Sequence, residues 1–416
     1  MPSSSGKTTP DYTSSAAAPV GLQVPVCHLE QCTNFNPVKG TRPFTDTSKN
    51  IHSVLVFDYR IKDPAAIAND YDFVWGARLD NMQIYRDANP NLLLSYYMTI
   101  HRDNGIFVDQ TNPGTLAYWQ QVHPDWVLYK CDQKTPALEY GDKNIPLDIT
   151  NPEVVNWQLQ NYVQPASEAG YDALAVDNID MENIFGACGH FDKQGHWVQL
   201  YTGSNNDVRW QTDLANWVIQ MQTKLHALPH PLLLIGNVST GVVSLHAPTL
   251  WTVLEHVDGV LNESGFTHFG NHTLVGNDWL QEIQYIDSVQ DLGKPFFIVN
   301  QVQKQLAPAD TEWIYASYLM CNQRLASINI SGFKAYGYAR DYPELHANIG
   351  SAKGDMYQSQ SVYWRDFTGG EVVVNPNNAS VQVTTSGTTT YVDPYGNRPG
   401  HTFTLPAYSA KILLKG

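Results

Sequence analysis

Two carboxylates stand where short apolar runs end. Asp177 closes Ala173 to Val176 in "GYDALAVDNID", and Glu263 follows "DGVLN" in "DGVLNESGF". A continuous apolar run of that length reads as a strand buried on both faces. An isolated Asp after such a run is most simply a helix cap or a turn residue. A second carboxylate in the same situation changes the reading. Two facing carboxyl groups can divide one reaction between them, one attacking or activating water while the other, protonated, donates to a leaving oxygen. That is the requirement of glycosidic bond cleavage. Alone, Glu263 would read as an exposed, salt-bridged rim residue.

Other polar residues follow apolar runs in the same way. Asp58 follows "SVLVF"; Tyr97 lies in "NLLLSYYMTI", with His101 and Asp103 just beyond. Asn178 follows Asp177, Asn237 ends "PLLLIGN", Asn300 and Gln301 end "PFFIVNQ", and Tyr336 lies in "GFKAYGYAR". With Asp177 and Glu263 as the catalytic pair, Asp58, Tyr97, His101, Asp103, Asn178, Asn237, Asn300, Gln301 and Tyr336 are the expected substrate contacts. Asp148, before "ITNPEV", reads equally as a substrate contact and as a residue shaping a helix start, with Thr150 or Asn151 as cap and Pro152 and Glu153 in the first turn. His101 and Asp103 could ligate a metal, but no second His stands at a ligand spacing, so substrate hydrogen bonding is the preferred role. No metal and no cofactor is expected.

The elements that must position these residues alternate from residue 51. Strands at 52–60, 72–77, 91–100, 170–180, 231–237, 258–266, 294–302 and 332–340 alternate with amphipathic helices. The clearest helix puts Leu214, Trp217, Val218, Met221 and Leu225 on one stripe. Eight such repeats predict a (β/α)8 barrel, in which the functional groups come from the C-terminal ends of the strands. A doubly wound sheet is the alternative, but "FDYRIKD" after strand one is no glycine-rich phosphate loop. A long excursion from His101 to about 145, with "WVLYKCD" as a hairpin laid over the mouth, is expected to wall the site, Trp126 included. After about residue 350, "SVYWRDF", "GEVVVNPN" and "HTFTLPAYSAKILLK" alternate apolar and polar residues, the mark of an antiparallel β-domain. The expected organisation is a disordered lead-in over 1–50, a catalytic barrel over 51–345 and a β-sandwich-like domain over 346–416. That last domain reads as a cap packed on the barrel rather than as a carbohydrate-binding module.

Composition narrows the partners. The net charge is -15 and no Lys/Arg block occurs, which argues against nucleic acid or an anionic membrane surface. No run crosses a membrane. The 23 Tyr and 11 Trp suit stacking on sugars, although most must be core. Of the five cysteines, Cys27 with Cys32 or Cys131 with Cys188 could pair in an exported protein, and Cys321 reads as a buried thiol. The Ser/Thr/Ala/Pro-rich N-terminus resembles the tether left after an export signal or lipid anchor is removed. An extracellular, periplasmic or cell-surface location is therefore expected; oligomeric state is not legible.

"GYDALAVDN", "LDITNPEV" and "GVLNESGF" resemble the glycosyl hydrolases of the hypothetical family numbered fifteen, themselves similar to the wider α-galactosidase-like barrel superfamily. The tail "WRDFTGGEVVVNPN…TLPAYSAKILL" resembles the β-domain that closes such enzymes. The resemblance implies a nucleophile at the end of strand four, Asp177, and an acid/base at the end of strand six, Glu263. Many relatives carry Asp at that second place. The expected activity is an exported, retaining glycoside hydrolase acting on an α-linked oligo- or polysaccharide. A non-catalytic carbohydrate-binding barrel is the alternative, and a metal-dependent hydrolase or deacetylase a third, disfavoured by scattered histidines.

Overall fold

The computed structural model describes residues 51–103 (of Asp103, the backbone only), 114–141, 144–303, 306–332, 336–339, 341–385 and 387–416. Eight parallel strands form the barrel: β1 Val54–Val56, β2 Phe73–Trp75, β3 Leu93–Thr99, β4 Ala173–Asp180, β5 Leu233–Ser239, β6 Gly259–Asn262, β7 Phe296–Val302 and β8 Ala326–Gly332. Each pairs with its sequence neighbour, and a parallel bridge from Ser53 to Ile328 closes the ring. Asn329 reinforces the seam by donating to the Val54 carbonyl at 2.8 Å.

Around the ring run α1 Pro64–Ile67, α2 Leu79–Ala88, α4 Pro152–Gln158 continuing through a π turn into α5 Gln164–Ala169, α6 Val208–His226, α7 Pro248–His256, α8 Gly276–Asp291 and α9 Pro308–Cys321, while α3 Leu116–Val122 lies in the excursion after β3. The π turn, Leu159–Val163, comes just before Pro165, which has no N–H to continue an α ladder. The period-two alternation of the strands sorts their side chains. Leu174, Val176, Leu234, Val260 and Ile298 face the helices. Ala173, Ala175, Leu233, Ile235, Leu261, Phe297 and Val299 fill the barrel interior. No helix among the described residues is long and apolar enough to cross a membrane.

Strand eight departs from expectation. It is Ala326–Gly332, not 332–340, and α9 ends at Cys321 rather than running into it. The segment "ASINISG" hides its strand character because its inward residues, Ser327, Asn329 and Ser331, are polar, while Ile328 and Ile330 face the helices. All five are buried. Tyr336 consequently lies beyond the strand, in the loop that follows it. Residues 333–335 and 340 lie outside the described residues.

The C-terminal region is antiparallel. A five-stranded sheet contains Tyr357–Ser359, Val362–Asp366, Gly370–Asn375, Ser409–Lys415 and Tyr391–Val392, in that order, and Val381–Thr384 pairs with Thr402–Leu405. One face packs on α9, which is buried from Thr311 to Cys321. Arg365 crosses this junction. Its guanidinium is buried and donates to the carbonyls of Leu319, Met320 and Asn322 at 2.8, 3.0 and 3.0 Å, where the helix runs out of partners. The β-domain therefore caps a barrel helix. Arg365→Met is expected to lower stability by about 2–4 kcal/mol, because it strands three carbonyls in the dry interface. Urea unfolding followed by tryptophan fluorescence measures it.

Candidate active site

The site stands on the C-terminal ends of β3 to β7. By alternation, Tyr97 on β3, Asp177 on β4, Asn237 on β5, Glu263 just after β6 and Gln301 on β7 all face the barrel axis. Asn237 ties the pair together: its Nδ2 donates to Asp177 Oδ1 at 2.8 Å and to Glu263 Oε2 at 3.1 Å. Asp177 also accepts from Tyr97 Oη at 2.8 Å and from the Asn178 backbone N–H at 2.9 Å. These donors compensate the charge of a carboxylate drawn into the barrel mouth. Glu263 accepts from Tyr336 Oη at 2.5 Å, and Gln301 Nε2 donates to that same hydroxyl at 2.6 Å. The rings of Phe57, Tyr97 and Tyr336 pack on the barrel interior beneath.

A β-bulge sets which acids face inward. Val176 is opposite Gly236, but Ile179 is opposite Val238, so Asp177 and Asn178 together face Asn237. Asn178 absorbs the extra residue at φ +65, a conformation Asn tolerates better than most. Alternation restarts after it: Ile179 packs outward in the main core, and Asp180 turns toward the mouth. Bulges re-aim side chains in this way beside active sites. The result is three carboxyl groups within mutual influence. Glu263 is half-buried; loss of hydration, then the charge of Asp177, lifts its pKa to about 7. Burial likewise lifts Asp180 to about 7 against a hydrogen bond from Tyr140, with the charges of Asp177 and Glu182 adding to the rise.

The turn that delivers Glu263 is tightly built. Asn262 Oδ1 accepts from the N–H groups of Ser264 and Gly265, and Asn300 Oδ1 accepts from Phe266 N at 2.8 Å. Gly265 has φ +47, and a Cβ there would lie 2.7 Å from both Asn300 Oδ1 and the Val299 carbonyl. Only glycine fits.

The remaining sequence-derived residues are placed as follows. Asn300 is fully buried and points outward, holding the Glu263 turn. Asp58 is also buried and accepts from Arg78 N and Asn81 Nδ2 at the start of α2. Its neighbour Phe57, at φ +56, takes the inward place instead. Asp148 accepts from Thr150 N and Oγ1, while Asn151 caps α4 through Glu153 N. His101 is buried against Glu139, at 3.1 Å, and desolvation lowers its pKa to about 3. Asn178 Oδ1 accepts from Asn144 Nδ2 at 3.3 Å. Asp103 pairs through its backbone with Asn144, and its side chain lies outside the described residues. Trp126 is buried in the excursion's own core, stacked 3.9 Å from His123 and 5.3 Å from Trp119.

Sequence reasoning did not single out the residues the excursion brings back to the mouth. A turn bridged from Glu139 to Asn144 carries Tyr140, whose hydroxyl donates to Asp180. A second excursion after β4 supplies Ala187–Phe191 and Trp197–Gln199, which form a sheet with Tyr129–Lys130 of the first. Cys131 and Cys188 are disulfide-bonded across the two, and Cys321 is free and buried. Cys27 and Cys32 lie outside the described residues. The one available signal for Tyr140 was the "YG" turn inside an unusually long excursion.

Hypothetical glycosyl hydrolase family 15 matches residues 86–371 of the chain. No curated protein sequence matches it. Among solved structures, a noncanonic maltogenic alpha-amylase from Thermotoga neapolitana is similar at 11% identity and TM-score 0.46, covering 88% of this chain and 99% of that one. A GH36 alpha-galactosidase from Geobacillus stearothermophilus, crystallised with stachyose, is similar at 10% identity and TM-score 0.40, over 88% of this chain and 56% of that one.

Proposed function

The chain belongs to hypothetical glycosyl hydrolase family 15 and is by that membership a glycoside hydrolase; we propose that it is a retaining enzyme acting on an α-linked oligo- or polysaccharide, with Asp177 as nucleophile and Glu263 as general acid/base. One observation carries this reading: a single amide nitrogen touches both carboxylates, at 2.8 and 3.1 Å. The two oxygens it touches are therefore less than about 6 Å apart. Double displacement needs carboxyl groups roughly 5–5.5 Å apart, and inversion roughly 6.5–9.5 Å, to admit a water.

The chemistry follows the asymmetry of the pair. Asp177, held by these donors, attacks the anomeric carbon as the glycosidic C–O bond breaks. Glu263 gives its proton to the departing oxygen. In the second half, Glu263 takes a proton from water as that water displaces Asp177. Tyr97 and Asn237 fix the nucleophile, and Gln301 and Tyr336 fix the acid. The Cys131–Cys188 bond supports an oxidising, exported setting. The pure protein, screened on a polysaccharide and oligosaccharide panel, is expected to release a product that retains the anomeric configuration of the substrate in its first NMR spectra. Initial inversion would make Asp177 the base that activates water.

A further inference from the structure

Beyond Glu263, the mouth carries an exposed aromatic patch that the mechanism leaves unused. Tyr59 and Tyr338 are 46% and 45% exposed. The Arg60 guanidinium carbon lies 5.4 Å from the centre of the first ring and 4.7 Å from the second. The three side chains come from the loops after β1 and β8, which are neighbours where the barrel closes. Gly337 joins those loops: its N–H donates to the Val56 carbonyl at 3.0 Å. At φ +82, it has no Cβ to crowd Arg60 N and the Tyr59 ring, which would lie 3.3 and 3.4 Å away.

The patch reaches both carboxylates through Phe57, which lies 5.1 Å from Tyr97, the residue whose hydroxyl donates to Asp177. The ring of Tyr336, whose hydroxyl holds Glu263, lies 5.8 Å from Phe57, and Phe57 lies 6.0 Å from Tyr59. The opposite side of the mouth is different. There Asn144 is bonded to Asn178, and Tyr140 to Asp180. Ring order decides between the two carboxylates: Tyr338 follows β8, two strands from β6 and four from β4, which puts the patch on the Glu263 side.

We propose that Tyr59, Arg60 and Tyr338 form the subsite for the first sugar of the leaving group. This rests on the assignment of Asp177 and Glu263 as the catalytic pair. A pyranose ring offers a C–H face to a tyrosine and hydroxyls to a guanidinium, whose five donors are set in a fixed plane. The acid must lie between the two sugars it separates, so the leaving group emerges on the acid's side. A protein partner fits less well, since three side chains fall far short of the roughly 800 Å² that each partner buries in a stable complex.

The test compares two substrates that share one glycone: the oligosaccharide identified by product analysis, and the corresponding glycosyl fluoride, which has no sugar on the leaving side. In the Tyr59→Ala/Tyr338→Ala double variant, the ratio of kcat/KM for oligosaccharide over fluoride is expected to fall roughly 10-fold or more. Tyr59→Phe/Tyr338→Phe, which keeps the rings, is expected to hold most of the ratio, and Arg60→Gln to lower it. An unchanged ratio in the alanine double variant, whether both rates fall or neither does, overturns the subsite. Asp177→Ala run in parallel separates the two readings. If it is inactive while the ratio stays put, the subsite alone is wrong; if it hydrolyses both substrates normally, the catalytic pair is wrong and the subsite falls with it.

Discussion

Asp177→Ala is expected to lower turnover on the true substrate by roughly a thousandfold or more, with the fold retained. The loss is large because the groups seen to hold it cannot attack in its place. Tyr97, Asn237 and the Asn178 N–H, which hold it, are all donors, and Asp180 is engaged by Tyr140. The fold should survive because Asp177 sits at the mouth, clear of the interior packing of Ala173 and Ala175. Truncation leaves a gap at the reacting carbon, so added azide or formate should restore part of the rate and yield a product of inverted configuration. Circular dichroism and Tm establish folding, and the kinetics decide the role. Near-normal turnover in a folded variant would remove Asp177 from the mechanism.

Glu263→Gln should cost a comparable factor on natural linkages and far less on an aryl glycoside, whose leaving oxygen needs little protonation. The pH profile gives the sharper test. The acid works only while protonated, and burial together with the Asp177 charge raises Glu263 to about 7. In the unsubstituted enzyme, kcat/KM should therefore fall as pH rises through about 7, and the glutamine variant should lose that limb. Asp180 titrates in the same range and adds its own charge to the pair, so the limb belongs to coupled groups. The sign remains distinct: Asp180→Asn removes a negative charge that raises Glu263 and should move the limb to lower pH. A glutamine variant with an intact alkaline limb would show that another group supplies the proton.

Much of this was legible along the chain. Hydrophobic period fixes element type, so the first seven strands, the long stripe of α6 and the period-two tail could be read directly. Alternation also predicts that Asp177, two residues beyond Ala175, and Glu263, two beyond Leu261, share the inward face. The resemblance then supplied roles that spacing alone does not carry.

Tertiary structure decided the rest, and alternation shows why. A polar residue at a strand end faces the axis only if the pleat stays regular. Phe57 leaves the pleat at positive φ and turns Asp58 toward α2; Asn178 does the same and turns Asp180 inward. Neither event changes the local hydrophobic pattern, because each is stabilised by partners on other strands and helices. Asn300 stays in register and so faces outward, to a loop whose path is set by the neighbouring strand. β8 departs from its expected position for a similar reason: Ser327, Asn329 and Ser331 are buried where the barrel closes on β1, a seam between opposite ends of the repeat. The excursion's return to the mouth, through Tyr140 and the Cys131–Cys188 bond, joins segments far apart in sequence. The sequence by itself determined a barrel with two carboxylates on its inner face. Only the closed tertiary structure, through long-range contacts that no local period encodes, decided which groups hold them.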